Sequence, residues 1–381
     1  MKKQVICLAA FAAALFSTSP ASATLEYKHE NWTFGIAPMF TVMYSYNSFD
    51  KKFDNLDDKN ETYTGADIFS SAEYKFNDDY QLGIYLDFNT DGNQYLKDYR
   101  GYEWDEQLYG ILTTPYGSFQ YGQTYNVGYL FYTGAPSVGP LGVNDSGITN
   151  YLANPDWSRS GRIAAYRTLN STAMNTENVA TKINYISPVW KGTQFGFSYV
   201  PDTYSNEGLI SKYTDYSNND AYIFALSNQT KLGDFNVSSY LGYGIYMKND
   251  LEYAAGLTIA YKNWTLGGSF HRTYVDGGDT PVNHYINSYY TPELFDNYRE
   301  GKAWNIGLGY QYEDYHVALT YFESKADNSA NKTELVQFSN QYQLNKYLKL
   351  YGVIAHANFI GSSGDSINKG YAYITGFRIQ F

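Results

Sequence analysis

The chain has 381 residues, 27 basic and 38 acidic, for a formal charge of −11, and it holds no basic tract of the kind that binds nucleic acid. Its mean hydropathy of −0.46 is that of a water-soluble protein, yet 43 residues are tyrosine and 19 % are aromatic, more than a soluble core calls for. The single cysteine, Cys7, excludes an internal disulfide and any Cys-rich metal cluster.

In chain order, Lys2 and Lys3 precede an apolar run over 5–16, and Ala21-Ser22-Ala23 follows. This order predicts a secretory signal peptide, residues 1–23, cleaved after Ala23. The run is far shorter than the roughly 20 apolar residues that a spanning helix needs. Cys7 leaves with the peptide, and loss of Lys2 and Lys3 takes the charge from −11 to −13.

Residues 24–381 read as one domain. Segment after segment alternates apolar and polar residues over ten to thirteen positions, as in Tyr80, Leu82, Ile84, Leu86 and Phe88, or Leu251, Tyr253, Ala255, Leu257 and Ile259. About sixteen strands are predicted, near 32–46, 66–76, 80–90, 104–114, 117–123, 180–186, 193–200, 219–230, 235–247, 251–262, 264–275, 302–313, 315–324, 332–342, 347–359 and 369–381. At about 3.4 Å per residue and a tilt near 45°, eleven residues rise roughly 26 Å, the height of a lipid-facing apolar band. The opposite face is rich in Gly, Ser, Thr, Asn, Gln and charge, which suits water better than a packed core. Short connections such as 77–79, 115–116 and 343–346 alternate with longer ones, 47–65, 91–103, 124–179, 201–218, 276–301, 325–331 and 360–368; a short turn at 248–250 breaks the pattern. The expected fold is therefore all-β, a closed transmembrane antiparallel barrel, because an open sheet edge in lipid leaves backbone groups without partners.

The stretch Tyr116-Gly117-Ser118-Phe119-Gln120-Tyr121-Gly122-Gln123-Thr124-Tyr125-Asn126 resembles the fifth strand of the trimeric general porins of Gram-negative bacteria, running into their third loop. Asn184-Tyr185-Ile186-Ser187-Pro188 with Gly192 and Phe195-Gly196-Phe197-Ser198-Tyr199 is similar to a second motif of that family, and Phe381 to its closing aromatic residue. The resemblance implies a sixteen-stranded barrel whose long third loop, here 124–179, folds into the lumen and narrows it. It also implies a homotrimer in the outer membrane that passes ions and small hydrophilic solutes, with membrane lipid as its other partner.

Where that family often has basic wall residues this chain has Ser71 and Gln123, while Arg162 and Arg167 resemble the two bases that follow the loop. Asp145 and Asp156 are the candidate loop acids, and Asp87 and Arg378 the further lumen candidates. The loops 47–65, 91–103, 124–179, 201–218 and 276–301 hold 19 acids against 10 bases, so weak cation preference is expected. An alternative is a sugar-selective channel that uses Tyr125, Tyr129, Phe131, Tyr132 and Tyr151 as a stacking track; the same rings would otherwise simply pack the loop on the wall. A third is a barrel lipase built on Ser269 and His271, although no G-x-S-x-G elbow occurs. The five histidines show no metal-ligand spacing, so no cofactor is expected. Intact-mass measurement of protein from outer membranes should give a chain beginning at Thr24; retention of Lys2 and Lys3 refutes the assigned cleavage.

Overall fold

The computed structural model describes residues 25–51, 59–91, 104–142, 148, 151–154, 168–169, 171–174, 179–203, 220–246, 250–274, 300–327 and 329–381. Seventeen strands follow one another: β1 (Leu25–His29), β2 (Trp32–Phe49), β3 (Asn60–Lys75), β4 (Gln81–Asp91), β5 (Trp104–Thr114), β6 (Gly117–Gln123), β7 (Thr181–Ile186), β8 (Thr193–Val200), β9 (Ala221–Leu232), β10 (Phe235–Tyr246), β11 (Asp250–Tyr261), β12 (Trp264–Tyr274), β13 (Gly301–Tyr312), β14 (Tyr315–Ala326), β15 (Lys332–Gln343), β16 (Leu348–Ile360) and β17 (Ser366–Gln380). From β2 onward each strand pairs antiparallel with the next, and β17 returns to β2. The sixteen strands β2 to β17 thus close a barrel, and closure satisfies the edges that lipid cannot.

The sixteen predicted segments coincide with β2 to β17 within a few residues, except that β3 begins six residues earlier than expected. The strand without a predicted counterpart is β1, whose five residues are too few to display a period. It folds back through Glu30, at φ 52°, so that Leu25 to His29 pair with Ile36 to Trp32. Since β17 pairs with Met39 to Phe49 of β2, β1 occupies the continuation of the line of β17. Pro38 lies at the junction, where its missing N–H costs no ladder bond, and its carbonyl accepts from Phe381 N at 3.0 Å. The predicted turn at 248–250 lies largely outside the described residues.

The alternation holds through the register. Leu82, Ile84, Leu86, Leu241, Leu257 and Leu319 are all exposed on the outer face. Aromatic pairs ring its lower end, near the short turns, among them Trp264 with Tyr310 (4.6 Å) and Tyr315 with Tyr342 (4.5 Å). A second set, with Tyr199 beside Tyr222 and Trp304 beside Tyr321, marks the loop end. Such rings are favoured where hydrocarbon meets water.

The inner face departs from the expectation of a uniformly wet wall. Leu141, Ile148, Leu152 and Leu169 pack on Ala303, Phe322, Leu335, Val353, Ala355 and Phe359, and Val127 and Met174 pack on Ile186, Val200, Ile223, Tyr240 and Ala254. Inward positions on much of the wall are therefore apolar or small because protein, not water, covers them. Gly256 shows the consequence: a Cβ there would lie 1.8 Å from the carbonyl oxygen of Thr133.

Leu241→Arg or Leu257→Arg should cost about 2–4 kcal/mol, the penalty for a base near the bilayer midplane. Gly256→Ala should cost about 1–3 kcal/mol by overpacking, whereas Gly110→Ala, whose added carbon meets nothing nearer than 3.7 Å, should cost little. Reversible unfolding in micelles checks the order; equal costs at Leu241 and Gly110 refute the register.

Candidate functional site

The segment that leaves β6 begins with Asn126. Its Oδ1 caps the short helix α1 (Val127–Leu130) by accepting from Tyr129 N at 2.9 Å, and its Nδ2 donates to Met174 O at 2.9 Å. Val127 N donates to Ser198 Oγ of β8 at 2.9 Å. The chain then runs over inward side chains. Ala135 N donates to Asn305 Oδ1 (3.1 Å) and Thr258 Oγ1 to Gly134 O (2.9 Å). Further on, Gln337 Nε2 donates to Leu141 O (2.7 Å), Asn368 Nδ2 to Ala153 O (2.8 Å), and Thr168 bonds Thr333 (3.0 Å). Gly267, like Gly256, lacks a side chain where the backbone of this segment passes; a Cβ would lie 2.2 Å from Gly134 O. The described parts of 124–179 are therefore held by the inward faces of β8, β11, β12, β13, β15 and β17.

Two buried polar nodes anchor the return limb. Thr172 Oγ1, Ser269 Oγ, Asn305 and the Tyr132 hydroxyl bond one another at 2.7 to 3.3 Å. Beside them His271 Nδ1 lies 2.9 Å from Ser171 O, and Nε2 lies 2.6 Å from Glu252 Oε1. A carbonyl only accepts, so Nδ1 carries a hydrogen, and a second proton is shared between Nε2 and the carboxylate. Both side chains are almost fully buried, 2 % and 1 % exposed, and Glu252 Oε2 has no partner among the described residues. Ser269 and His271 thus engage separate partners rather than each other.

Ser71 lies on the inward face of β3, level with Gly35 and Tyr85. Asp87 accepts from Gln107 Nε2 at 3.3 Å on the same wall. Glu73, which the sequence reading passed over, accepts from the Tyr85 hydroxyl (2.9 Å) and from Gln81 (2.6 Å). Gln123 ends β6 opposite Leu108 and Thr181, and since Leu108 is exposed on the outer face the register sets Gln123 in the outward row and not with the lumen residues expected from the resemblance. Arg378 donates to Thr41 Oγ1 at 3.0 Å and faces Lys349 across the ladder, so it stands near the short-turn end of β17. Asp145, Asp156, Arg162 and Arg167 lie outside the described residues.

Further inward charges were missed, among them Glu252 and Lys182, whose Nζ donates to Thr124 O. Alternation alone puts both inside. Glu252 and His271, however, are diagonal neighbours on two strands, which only the register reveals. Of the five aromatic candidates, Tyr132 and Phe131 pack on the wall and Tyr151 meets Tyr63 edge-on at 4.4 Å. Tyr125 and Tyr129 stack on each other at 4.1 Å.

An apolar outer face, two aromatic girdles and a closed ring of sixteen strands define a transmembrane barrel channel. The Gram-negative porin family model matches residues 9–361. The chain belongs to that family, whose members are outer-membrane channels. Among solved structures it is similar to OmpF of Salmonella typhi in complex with daunomycin, at 14 % identity and a TM-score of 0.60 over 94 % of this chain and 100 % of that one. It is also similar to the trimer form of OmpT, an outer-membrane protein of Vibrio cholerae, at 11 % identity and 0.58 over 92 % and 100 %. An anion-selective porin from Comamonas acidovorans matches at 14 % identity and 0.54 over 92 % and 100 %. No curated protein matches. His271→Ala leaves the Glu252 carboxylate buried and alone and should cost about 3–5 kcal/mol, while a paired change to apolar residues of similar size should recover most of it. Unfolding of both variants in micelles checks this, and equal stability of His271→Ala and the parent protein refutes the pair.

Proposed function

We propose that the protein is a passive pore for ions and small hydrophilic solutes, with the 124–179 segment folded into the lumen as its constriction. The observation that carries this reading is the set of hydrogen bonds from that segment to inward side chains of β8, β11, β12, β13, β15 and β17. It draws the segment toward that side of the barrel, with Tyr151 reaching Tyr63 at the loop end of β3, and leaves solute to pass along the rest of β3, β4 and β5. Inward positions of β3 and β4 carry Glu61, Asp67, Glu73 and Asp87, and Lys349 and Arg378 stand on β16 and β17. Arg162 and Arg167 are the proposed bases of the constriction, with Asp145 and Asp156 as its loop acids. Cleavage after Ala23 and assembly as a homotrimer, the state named for the Vibrio cholerae relative, complete the proposal. Catalysis has no support in the geometry, since Ser269 is bonded within its own polar node.

The acidic wall favours weak cation preference, screened over about 8 Å at physiological salt. A second reading rests on the Tyr125–Tyr129 stack, a face on which a sugar ring can lie. Planar-bilayer recording should show conductance that rises linearly with salt and a reversal potential of cation sign. Glu73→Gln with Asp87→Asn should move that potential toward zero. An anion sign, or no change in the double variant, overturns the selectivity, and block of the current by neutral sugars favours the second reading.

A further inference from the structure

Two basic side chains meet on the inner wall with no acid between them. Lys349, the second residue of β16, lies directly opposite Arg378 of β17 in the strand register. Both belong to the inner set, because Leu350, next to Lys349, and Tyr373, five residues from Arg378, are exposed on the outer face. Lys349 is only 6 % exposed, and among the described residues it makes neither a hydrogen bond nor an ion pair; the charge beside it on β17 is Arg378. Arg378 donates from Nε to Thr41 Oγ1 at 3.0 Å and lays its guanidinium 5.8 Å from the centre of the Tyr351 ring, and neither contact brings a carboxylate. His316 of β14 stands near enough to Lys349 to feel its charge, and the acid that acts on His316, Asp314, belongs to the turn below. A charge taken out of water without a partner is costly, and like charges directly opposite one another destabilise an antiparallel pair. The wall here calls for an anion from solution.

The donors that remain name the kind of anion. Neighbouring strands are about 4.8 Å apart, so the ammonium of Lys349 and the guanidinium of Arg378 can touch one ion. With Nε engaged by Thr41, the two Nη groups of Arg378 are left as a planar fork for two oxygens, and Lys349 supplies a point charge for a third. A carboxylate has two oxygens and is used up by the fork, whereas a tetrahedral oxyanion keeps one for the lysine. The position is set from above by the 124–179 segment. Gly139, at φ 82°, passes so close to Tyr351 that a Cβ would lie 3.0 Å from its ring. Lys349 and Arg378 therefore lie just below that segment, on its short-turn side.

We propose that Lys349 and Arg378 form a binding site for a small tetrahedral oxyanion, inorganic phosphate, on the lumen wall beneath the 124–179 segment. The fork and the ammonium replace water around the ion with charge-assisted hydrogen bonds, and the ion removes the repulsion between the two bases. That the ion arrives through an open lumen rests on the pore reading. Once bound, it cancels the bases of β16 and β17 and leaves the acids of β3 and β4 to set the field in the lumen.

The test is isothermal titration calorimetry of the full-length protein in an uncharged detergent at low salt, with inorganic phosphate and, separately, with acetate. Calorimetry reads binding without any current, so its failure is distinct from a failure of the pore reading. Phosphate should bind saturably, one ion to each chain, and acetate far more weakly. Lys349→Gln and Arg378→Gln should each weaken phosphate binding about tenfold or more, the loss expected for a hydrogen bond to a charged group. Phosphate should also raise the thermal unfolding midpoint of the parent protein but not that of Lys349→Gln, whose own transition shows that the variant folds. Absence of saturable phosphate binding overturns the proposal. Unchanged affinity in both variants overturns it too, since the ion would then sit elsewhere on the protein. Acetate binding as tightly as phosphate also overturns it, because the lysine would then contribute no third contact.

Discussion

Everything in this molecule depends on a hydrogen-bond ladder that has no end. Lipid offers no partner for a backbone N–H or C=O, each of which costs several kilocalories per mole when unpaired, so the pairing of β17 with β2 is the condition for the other fifteen ladders to exist in a membrane. The region of closure is also the most carefully terminated. β2 runs for eighteen residues because it must serve two partners on one edge, β17 along its upper part and β1 along its lower. The change of partner falls at Pro38, the one residue of β2 that has no hydrogen to donate.

Once the ring is closed, the two faces of each strand answer to different solvents, and this explains why the outside was legible and the inside was not. Outward residues within the apolar band all meet hydrocarbon, so Leu82, Leu241 and Leu319 repeat a simple period that sequence displays directly. Inward residues meet three environments: water, the charged wall of β3 and β4, and the backbone of 124–179. A sequence window cannot tell these apart. Gly256 and Gly267 look like water-facing positions in the alternation, yet each is a glycine because a loop carbonyl passes within about 2 Å of where a Cβ would be. Ala355 and Ala357 look like weak outward positions and are inward ones beneath Leu141 and its neighbours.

The candidate site was legible to the same degree. Ser71 and Asp87 could be placed because they lie inside long regular strands whose parity is unambiguous. For Gln123 parity and the family resemblance disagree, since the register sets it in the row of the outward Leu108. The Glu252–His271 pair escaped notice because its members are nineteen residues apart and meet only through the register of β11 against β12. The strand β1 escaped for the opposite reason, being too short for any period at all.

The interior then poses a question that the exterior does not: why a segment so well packed by Leu141, Ile148, Leu152 and Met174 also carries buried polar nodes. Apolar burial is non-directional, and inside a tube whose wall offers small residues on many strands it would hold the segment at several rotations about equally well. The Thr172–Ser269–Asn305 node and the His271–Ser171 bond have one geometry each, and a displaced register would leave each buried donor and acceptor unsatisfied at about 1–3 kcal/mol. Packing therefore supplies the attraction and the polar nodes supply the position. The proposed constriction would need that division, since its cross-section would depend on where the segment lies and not only on how tightly it is held. The shared proton of Glu252 and His271 keeps the second node neutral overall, which is what allows a carboxylate with one unpartnered oxygen to remain buried in a wall that elsewhere faces water.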